Sequence, residues 1–292
     1  MWPFSCRMEW AHMLEIGKRG RIIAWACAAP FLVIVMLFEI TPLLAVMASS
    51  IFKSGAVSLM NYWDILSSRF YLNAFKASFA ISGATALIGL ALALPIAMIL
   101  RKMPGKIQQF VLVCSNIGAN FTGFPLAFSF VILMGVSGSI TLLLAQAGLL
   151  KDFNIYSTTG LVIVYSYFQI LLGILLIFPG LSAITAEIEE AAYLMGTSRL
   201  AFWGQIGLPI LAPSLLGAFL LLFANAMGTY ATAWALVGGS ANLVTIRIGE
   251  LTAGDVFSDP NMADALAMLL VISLIVPILA EQFLITPRRI DA

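Results

Sequence analysis

Charge is scarce in this chain. Asp, Glu, Lys and Arg make up 10% of its 292 residues, against about a quarter in a soluble domain. There is one histidine, His12, and there are three cysteines, Cys6, Cys27 and Cys114. No Cys/His group has zinc-ligand spacing, and an odd cysteine count without paired spacing argues against a disulfide framework. A net charge of +1 leaves no clustered basic face for nucleic acid. The phosphate-cradling run G-x-x-x-x-G-K-[ST] is also missing: Gly17-Lys18 and Gly105-Lys106 are followed by Arg and Ile. The chain therefore lacks that route to ATP hydrolysis, and no metal site or cofactor of its own is expected.

What is present is apolar. Hydrophobic residues make up 61% of the chain, and mean hydropathy is +1.02. Six apolar blocks stand out, at Ile22–Phe52, Ala74–Leu100, Phe110–Val136, Thr159–Pro179, Pro213–Val237 and Met262–Ile285. Each is long enough for a membrane helix, which needs about 20 apolar residues. The expected fold class is all-α, a polytopic membrane protein of six transmembrane helices in a single domain spanning 1–292. The first block follows Lys18, Arg19 and Arg21 but is too long for a signal-peptide core of about 7–15 residues. It reads as an uncleaved span.

Basic residues set the orientation. Arg7, Lys18, Arg19, Arg21, Arg101, Lys102, Lys106, Arg199, Arg288 and Arg289 fall in one set of linkers, and Lys53, Arg69, Lys76, Lys151 and Arg247 in the other. Both termini are then cytoplasmic, with 1–21 as a cytoplasmic N-terminal segment. Ser139–Leu150 is expected as a short apolar helix at the outer surface. The outer loops also hold acids, Asp64, Glu250, Asp255, Asp259 and Asp264, and Glu39 lies in the first block.

Enzyme chemistry finds little support. "GVSG" at 135–138 has the Gly-x-Ser-Gly pattern of rhomboid proteases, but His12, the one possible base, lies outside the spans. A glycine pair in an outer loop is the better reading. Glu39 and Glu281 do not form the carboxylate pair that intramembrane aspartyl chemistry needs.

The cytoplasmic linker between spans four and five, 181–212, holds the run "EIEEAAYLMGTSRLAFWGQIGLP" from Glu187 to Pro209. Thr185 can cap a helix with Glu187 in its first turn, where negative charge favours the helix dipole. Ile188, Ala192 and Met195 repeat at i, i+4, i+7 as one apolar face. Gly196 is placed to end that helix in a left-handed conformation. Thr197 or Ser198 then caps a second helix carrying Leu200, Trp203 and Ile206, which Pro209 ends. An ordered loop with its own amphipathic helices more often docks a partner than merely connects spans.

Glu190-Ala191-Ala192, Gly196 and Ile206-x-Leu208-Pro209 reproduce E-A-A-x₃-G-x₉-I-x-L-P at every position. The segment resembles the EAA loop of permease subunits of binding-protein-dependent type I ABC importers. The resemblance implies that 181–212 is a coupling loop seated in a separate ATPase subunit. Glu187, Ile188, Glu190, Ala191, Ala192, Met195, Gly196, Leu200, Trp203, Ile206 and Pro209 are its contact and shaping residues. It also implies ABC ATPase subunits that hold the ATP and Mg, a second permease subunit (identical or different), a periplasmic substrate-binding protein, and residence in a bacterial inner membrane. A secondary transporter or channel working without an ATPase is the alternative.

Cargo is less determined. "NIGANFTGFPLAFSFVILMG" and "FANAMGTYATAWALVGG" resemble the spermidine/putrescine, iron(III) and 2-aminoethylphosphonate branch of these permeases. Polar residues inside spans usually face the bundle interior or a water path. Asn116, Asn120, Thr122, Gln169, Asn225, Thr229 and Tyr230 are therefore candidates for the translocation pathway, with an interhelical hydrogen bond as the other possibility for each.

Overall fold

The computed structural model describes residues 18–53, 56–148, 153–253 and 258–285. The N-terminal segment up to residue 17, with Cys6 and His12, and also Lys151, Asp255, Arg288 and Arg289 lie outside the described residues. Six helical stretches are long and apolar enough to cross a membrane: Ala28–Ser50, Arg69–Leu100, Phe124–Gln146, Thr158–Ala183, Arg199–Gly228 and Pro260–Glu281. Among the described residues the fold is all-α but for one antiparallel strand pair, Phe52–Lys53 with Ala56–Val57, which the apolar pattern does not announce.

The first span is α1 (Lys18–Val35) and α2 (Thr41–Ser50), joined through a π-helical turn at Met36–Ile40. Glu39 sits in that turn, midway along the span and exposed. After the hairpin, α3 (Met60–Ser67) leads into α4 (Arg69–Leu100). At about 1.5 Å per residue, the 32 residues of α4 run well beyond the about 30 Å hydrocarbon core. Its buried stripe is Ala74, Ser78, Ser82, Ala86, Gly89, Ala93 and Ala97, small residues three or four apart. Small side chains let helix axes approach closely in a membrane, where packing drives association. Against this stripe lies α8 (Thr158–Gly180), in the most extensive helix contact of the bundle, and α11 (Leu208–Gly228) packs on both.

Two expected spans are broken. The block at Phe110–Val136 divides into α5 (Gly105–Asn120) and α6 (Phe124–Met134) around Gly123, whose φ is +76°. That backbone conformation suits glycine and stops a helix of L-residues. α6 continues past a turn at 135–138 into α7 (Ser139–Gln146), which is helical as expected but belongs to the third apolar stretch, Phe124–Gln146, that is long enough to cross a membrane. In that turn a Cβ on Gly138 would lie 2.5 Å from the Leu133 carbonyl oxygen, so the glycines of "GVSG" shape a tight turn. The block at Pro213–Val237 likewise divides into α11 and α12 (Ala231–Val237) at Thr229 and Tyr230. The bundle closes with α13 (Val244–Ala253) and the last span, α14 (Pro260–Ile285), which packs on α2.

Among the described residues, four outer acids have partners. Asp64 pairs with Lys53 and Glu250 with Arg247. Asp264 accepts from the Ser49 hydroxyl, and Asp259 accepts from the Met262 N–H at the start of α14 at 3.1 Å. Arg247 also donates to Asn242 Oδ1 and stands over the Phe70 ring, pinning the chain after α12 to the start of α4.

Candidate functional site: the loop between spans four and five and two helix breaks

α8 runs into a 3₁₀ turn at Leu181–Ala183 before α9 (Ala186–Leu194) begins. Thr185 stands at the N-cap, but its side chain does not cap the backbone. Its hydroxyl instead bonds the Glu187 carboxylate and, with Glu187's own N–H, holds that acid below its ordinary pKa. Any stabilisation from this carboxylate is present above the ordinary carboxylate range and lost as pH falls through the lowered value.

The helix ends as the sequence suggested. Gly196 has φ +83°, its N–H donates to the Tyr193 carbonyl at 3.0 Å, and the Thr197 N–H donates to the Ala192 carbonyl at 3.1 Å. This is the Schellman pattern, which needs a left-handed residue at that position. Ser198 Oγ then accepts from the Ala201 N–H at 3.3 Å, starting α10 (Arg199–Phe202). Pro209 does not end this helix. α10 passes through a π-helical turn at Trp203–Gly207 directly into α11, with Pro209 in the first turn of α11, where a missing N–H is tolerated.

The loop residues divide by face. Ala192 and Phe202 are buried, and Ile188, Trp203 and Ile206 pack with them against Ala97, Leu100, Leu181 and Ile184. The other face is open: Leu194 is 88% exposed, Met195 77% and Leu200 88%, with Glu187, Glu190, Ala191 and Gly196 also exposed. Two expectations are corrected here. Met195 is not on the inner face with Ile188 and Ala192, because α9 ends at Leu194 and the chain turns away at Met195. Leu200 is not on the inner face with Trp203 and Ile206, because α10 has four residues and the π turn shifts the register. Leu194 joins the open face, and Glu189, which the sequence groups with Glu187 and Glu190, turns inward to pair with Arg101 at the end of α4.

The second candidate region is where the two broken spans meet. The Gly123 N–H donates to Thr232 Oγ1 at 2.9 Å, and that hydroxyl lies 3.3 Å from the Gly123 carbonyl oxygen. Tyr165 Oη donates to the Thr229 carbonyl at 2.9 Å. Backbone groups freed by a break must find partners at membrane depth, and these side chains supply them. Replacing Thr232 by Val leaves the half-buried Gly123 N–H unpaired. The expected loss is about 1–3 kcal/mol, read as a lower unfolding temperature in detergent.

Around the breaks, Asn116, Asn120, Thr122 and Tyr230 are exposed and Asn225 and Thr229 half-buried. Asn120 Nδ2 donates to Asn116 Oδ1 at 2.8 Å, so these two amides form one polar patch. Gln169 stands apart. It is fully buried between α4 and α11; its Nε2 donates to the Leu222 carbonyl at 2.6 Å, while its Oε1 is buried without a hydrogen-bond partner. A groove of about 450 Å³ runs between α5 and α8, lined by Gln108, Gln109, Asn116, Val113, Leu175 and Phe178. Gln108 and Gln109 lie at the helix end, before the apolar block, where hydropathy gives no signal of a groove.

No family model matches the chain. Over 92% of its length it superposes on 98% of a chain of a bacterial ABC transporter that imports the acidic polysaccharide alginate, with TM-score 0.72 at 16% identity. The fold is that of an ABC importer permease. A chain of the MetNI methionine ABC transporter in an inward-facing conformation gives TM-score 0.55 at 17% identity, covering 73% of this chain and 93% of that one. In sequence, the chain is 24% identical to the sn-glycerol-3-phosphate transport system permease protein UgpA of Agrobacterium fabrum, over 95% of this chain and 99% of that protein. The importer fold expected from the EAA spacing is therefore present along almost the whole chain.

Proposed function

We propose that the chain is the permease subunit of a binding-protein-dependent ABC importer, forming half of a translocation pathway and driven by a separate ATPase that docks on α9 and α10. One observation carries this reading: two short helices, α9 and α10, held to the bundle by their inner faces, leave Leu194, Met195 and Leu200 bare on a loop where Glu187 and Glu190 are also exposed. Bare leucines on a structured, non-membrane loop mark a protein interface. The positive-inside pattern puts this loop in the cytoplasm, where an ATPase works. Its partners are then two ATPase subunits, a second permease and a periplasmic binding protein, in a bacterial inner membrane. ATP and Mg belong to the ATPase, and no reaction is catalysed by this chain. In the full complex, Glu190→Ala combined with Gly196→Pro should abolish ATPase association and uptake. Uptake that survives this pair, or that ignores ATP depletion and follows the proton gradient, would instead indicate a secondary transporter. Ser137→Ala should leave uptake unchanged.

The polyamine, iron(III) or 2-aminoethylphosphonate cargo implied by the sequence resemblance gains no support from the relatives, whose names carry sn-glycerol-3-phosphate, alginate and methionine. The groups at the breaks and groove are neutral amides and hydroxyls, and four of the outer acids already have partners. Those polar groups, set among Val113, Leu175 and Phe178, suit a neutral hydroxyl-rich solute such as a sugar better than a polycation. Titrating the purified binding protein with spermidine and with a neutral sugar such as maltose separates the two readings.

A further inference from the structure

We infer that Arg101, acting through Glu189, is the positioning residue that fixes the α9 docking helix to α4 and so transmits movement between the ATPase and the bundle. This rests on the importer reading above, but the residues are not those of the EAA pattern. Arg101 follows the last residue of α4, and its N–H still accepts the helical register by donating to the Ala97 carbonyl at 3.0 Å. One arm of its guanidinium, Nη1, donates to the Ile184 carbonyl at 2.8 Å and lies 3.4 Å from the Leu181 carbonyl. The other arm, Nη2, pairs with Glu189 Oε1 in the first turn of α9. The Arg101 carbonyl in turn accepts from Gln108 Nε2 at 3.0 Å, which ties in the start of α5. One side chain thus joins the end of α4 to the exit of α8 and the entry of α9.

An exposed ion pair would contribute little. This one is largely covered, the two side chains being 20% and 14% exposed. It also does what a simple pair does not. The Ile184 carbonyl, and the Leu181 carbonyl that also accepts from the Ile184 N–H at 3.2 Å, lie at the exit of α8, and a forked guanidinium holds them and a carboxylate in a fixed planar geometry that an ammonium lacks. Beyond it, α9 is held by the inner-face contacts of Ile188 and Ala192, because its other face is bare. A push on α9 therefore reaches α4 at Arg101. α4 is the helix with the most extensive contact to α8, and it also packs on α11, whose far end is one of the two breaks.

Two measurements test this. In the full-length chain in nanodiscs, hydrogen exchange of the amides at 186–196 should become about tenfold faster in Arg101→Ala and in Glu189→Gln, as expected for losing charge-assisted bonds. Exchange within α4 and α8 should not change, and Arg101→Lys should recover part of the protection. In the complete complex, with the binding protein used as isolated, Arg101→Ala should keep ATPase association and basal hydrolysis but lose stimulation of hydrolysis by the binding protein. Arg101→Lys should restore part of that stimulation. Unchanged exchange in both variants overturns the clamp. Faster exchange with full stimulation overturns the transmitting role. If the unaltered chain binds no ATPase, the importer reading fails and the transmitting role with it, while the exchange result still decides whether the clamp exists.

Discussion

Leu194→Asp combined with Leu200→Asp is expected to weaken ATPase association at least about a hundredfold and to bring uptake to background, with the unfolding temperature of the permease itself unchanged. Burying a leucine side chain contributes about 1.5–3 kcal/mol, and both are 88% exposed in the free chain. Placing a carboxylate at each position removes that contribution and adds the desolvation of a charge. Neither side chain is part of the apolar cluster beneath the loop, so the substitution acts on the docked state alone. Phe202→Ala is the contrasting control. Phe202 is fully buried, with its ring 5.8 Å from Tyr193 and 5.5 Å from Trp203. Its truncation should cost about 3–5 kcal/mol of stability and disturb docking only through loss of the folded loop. Co-purification with the ATPase and thermal unfolding, measured on the same preparations, separate the two effects. Equal loss of stability in both variants would remove the argument for an exposed docking face.

The loop was legible in the sequence because its determinants are local. The left-handed Gly196, the cap at Ser198 and the inward Ile188 and Ala192 depend on neighbours within about one turn. Spans were legible for the same reason, since hydropathy is a property of a short window. What was not legible depended on distant residues or on departures from an α-helix of one period. Glu189 looks equivalent to Glu187 and Glu190 until Arg101, 88 residues earlier in the chain, is brought to it. Met195 and Leu200 keep helical spacing on paper, but a helix end and a π turn rotate them outward. The breaks at Gly123 and at Thr229–Tyr230 fall inside continuous apolar runs, and hydropathy does not register a missing backbone bond. The partners of the outer-loop acids, Lys53, Ser49 and Arg247, are likewise invisible in a count of carboxylates.

Gly89→Val should destabilise the bundle by about 3 kcal/mol or more, whereas Gly83→Val on the same helix should be nearly neutral. A Cβ at Gly89 would lie 2.8 Å from Gln169 Cβ and 3.1 Å from its backbone carbonyl carbon, so the obstacle is the α8 main chain and not a flexible tip. One turn on, Gly173 of α8 faces Ala93 of α4 the same way, where a Cβ would come within 2.9 Å of Ala93 Cβ. The two helices are in contact through missing side chains, and a β-branched residue must push them apart. Overpacking of this kind costs about 1–3 kcal/mol where neighbours can shift. Here separation would also stretch the bond from Gln169 Nε2 to the Leu222 carbonyl, leaving buried polar groups unpaired at membrane depth. Gly83, with nothing within 4 Å of its Cβ position, lacks that obstacle, and valine suits a membrane helix. Thermal unfolding in detergent should therefore rank Gly89→Val far below Gly83→Val. Gln169→Leu should fall between them, since it removes the bond while keeping the helices together. If Gln169→Leu abolished uptake without lowering the unfolding temperature, Gln169 would belong to the pathway after all, and its burial between α4 and α11 would describe only one state of a transporter that moves.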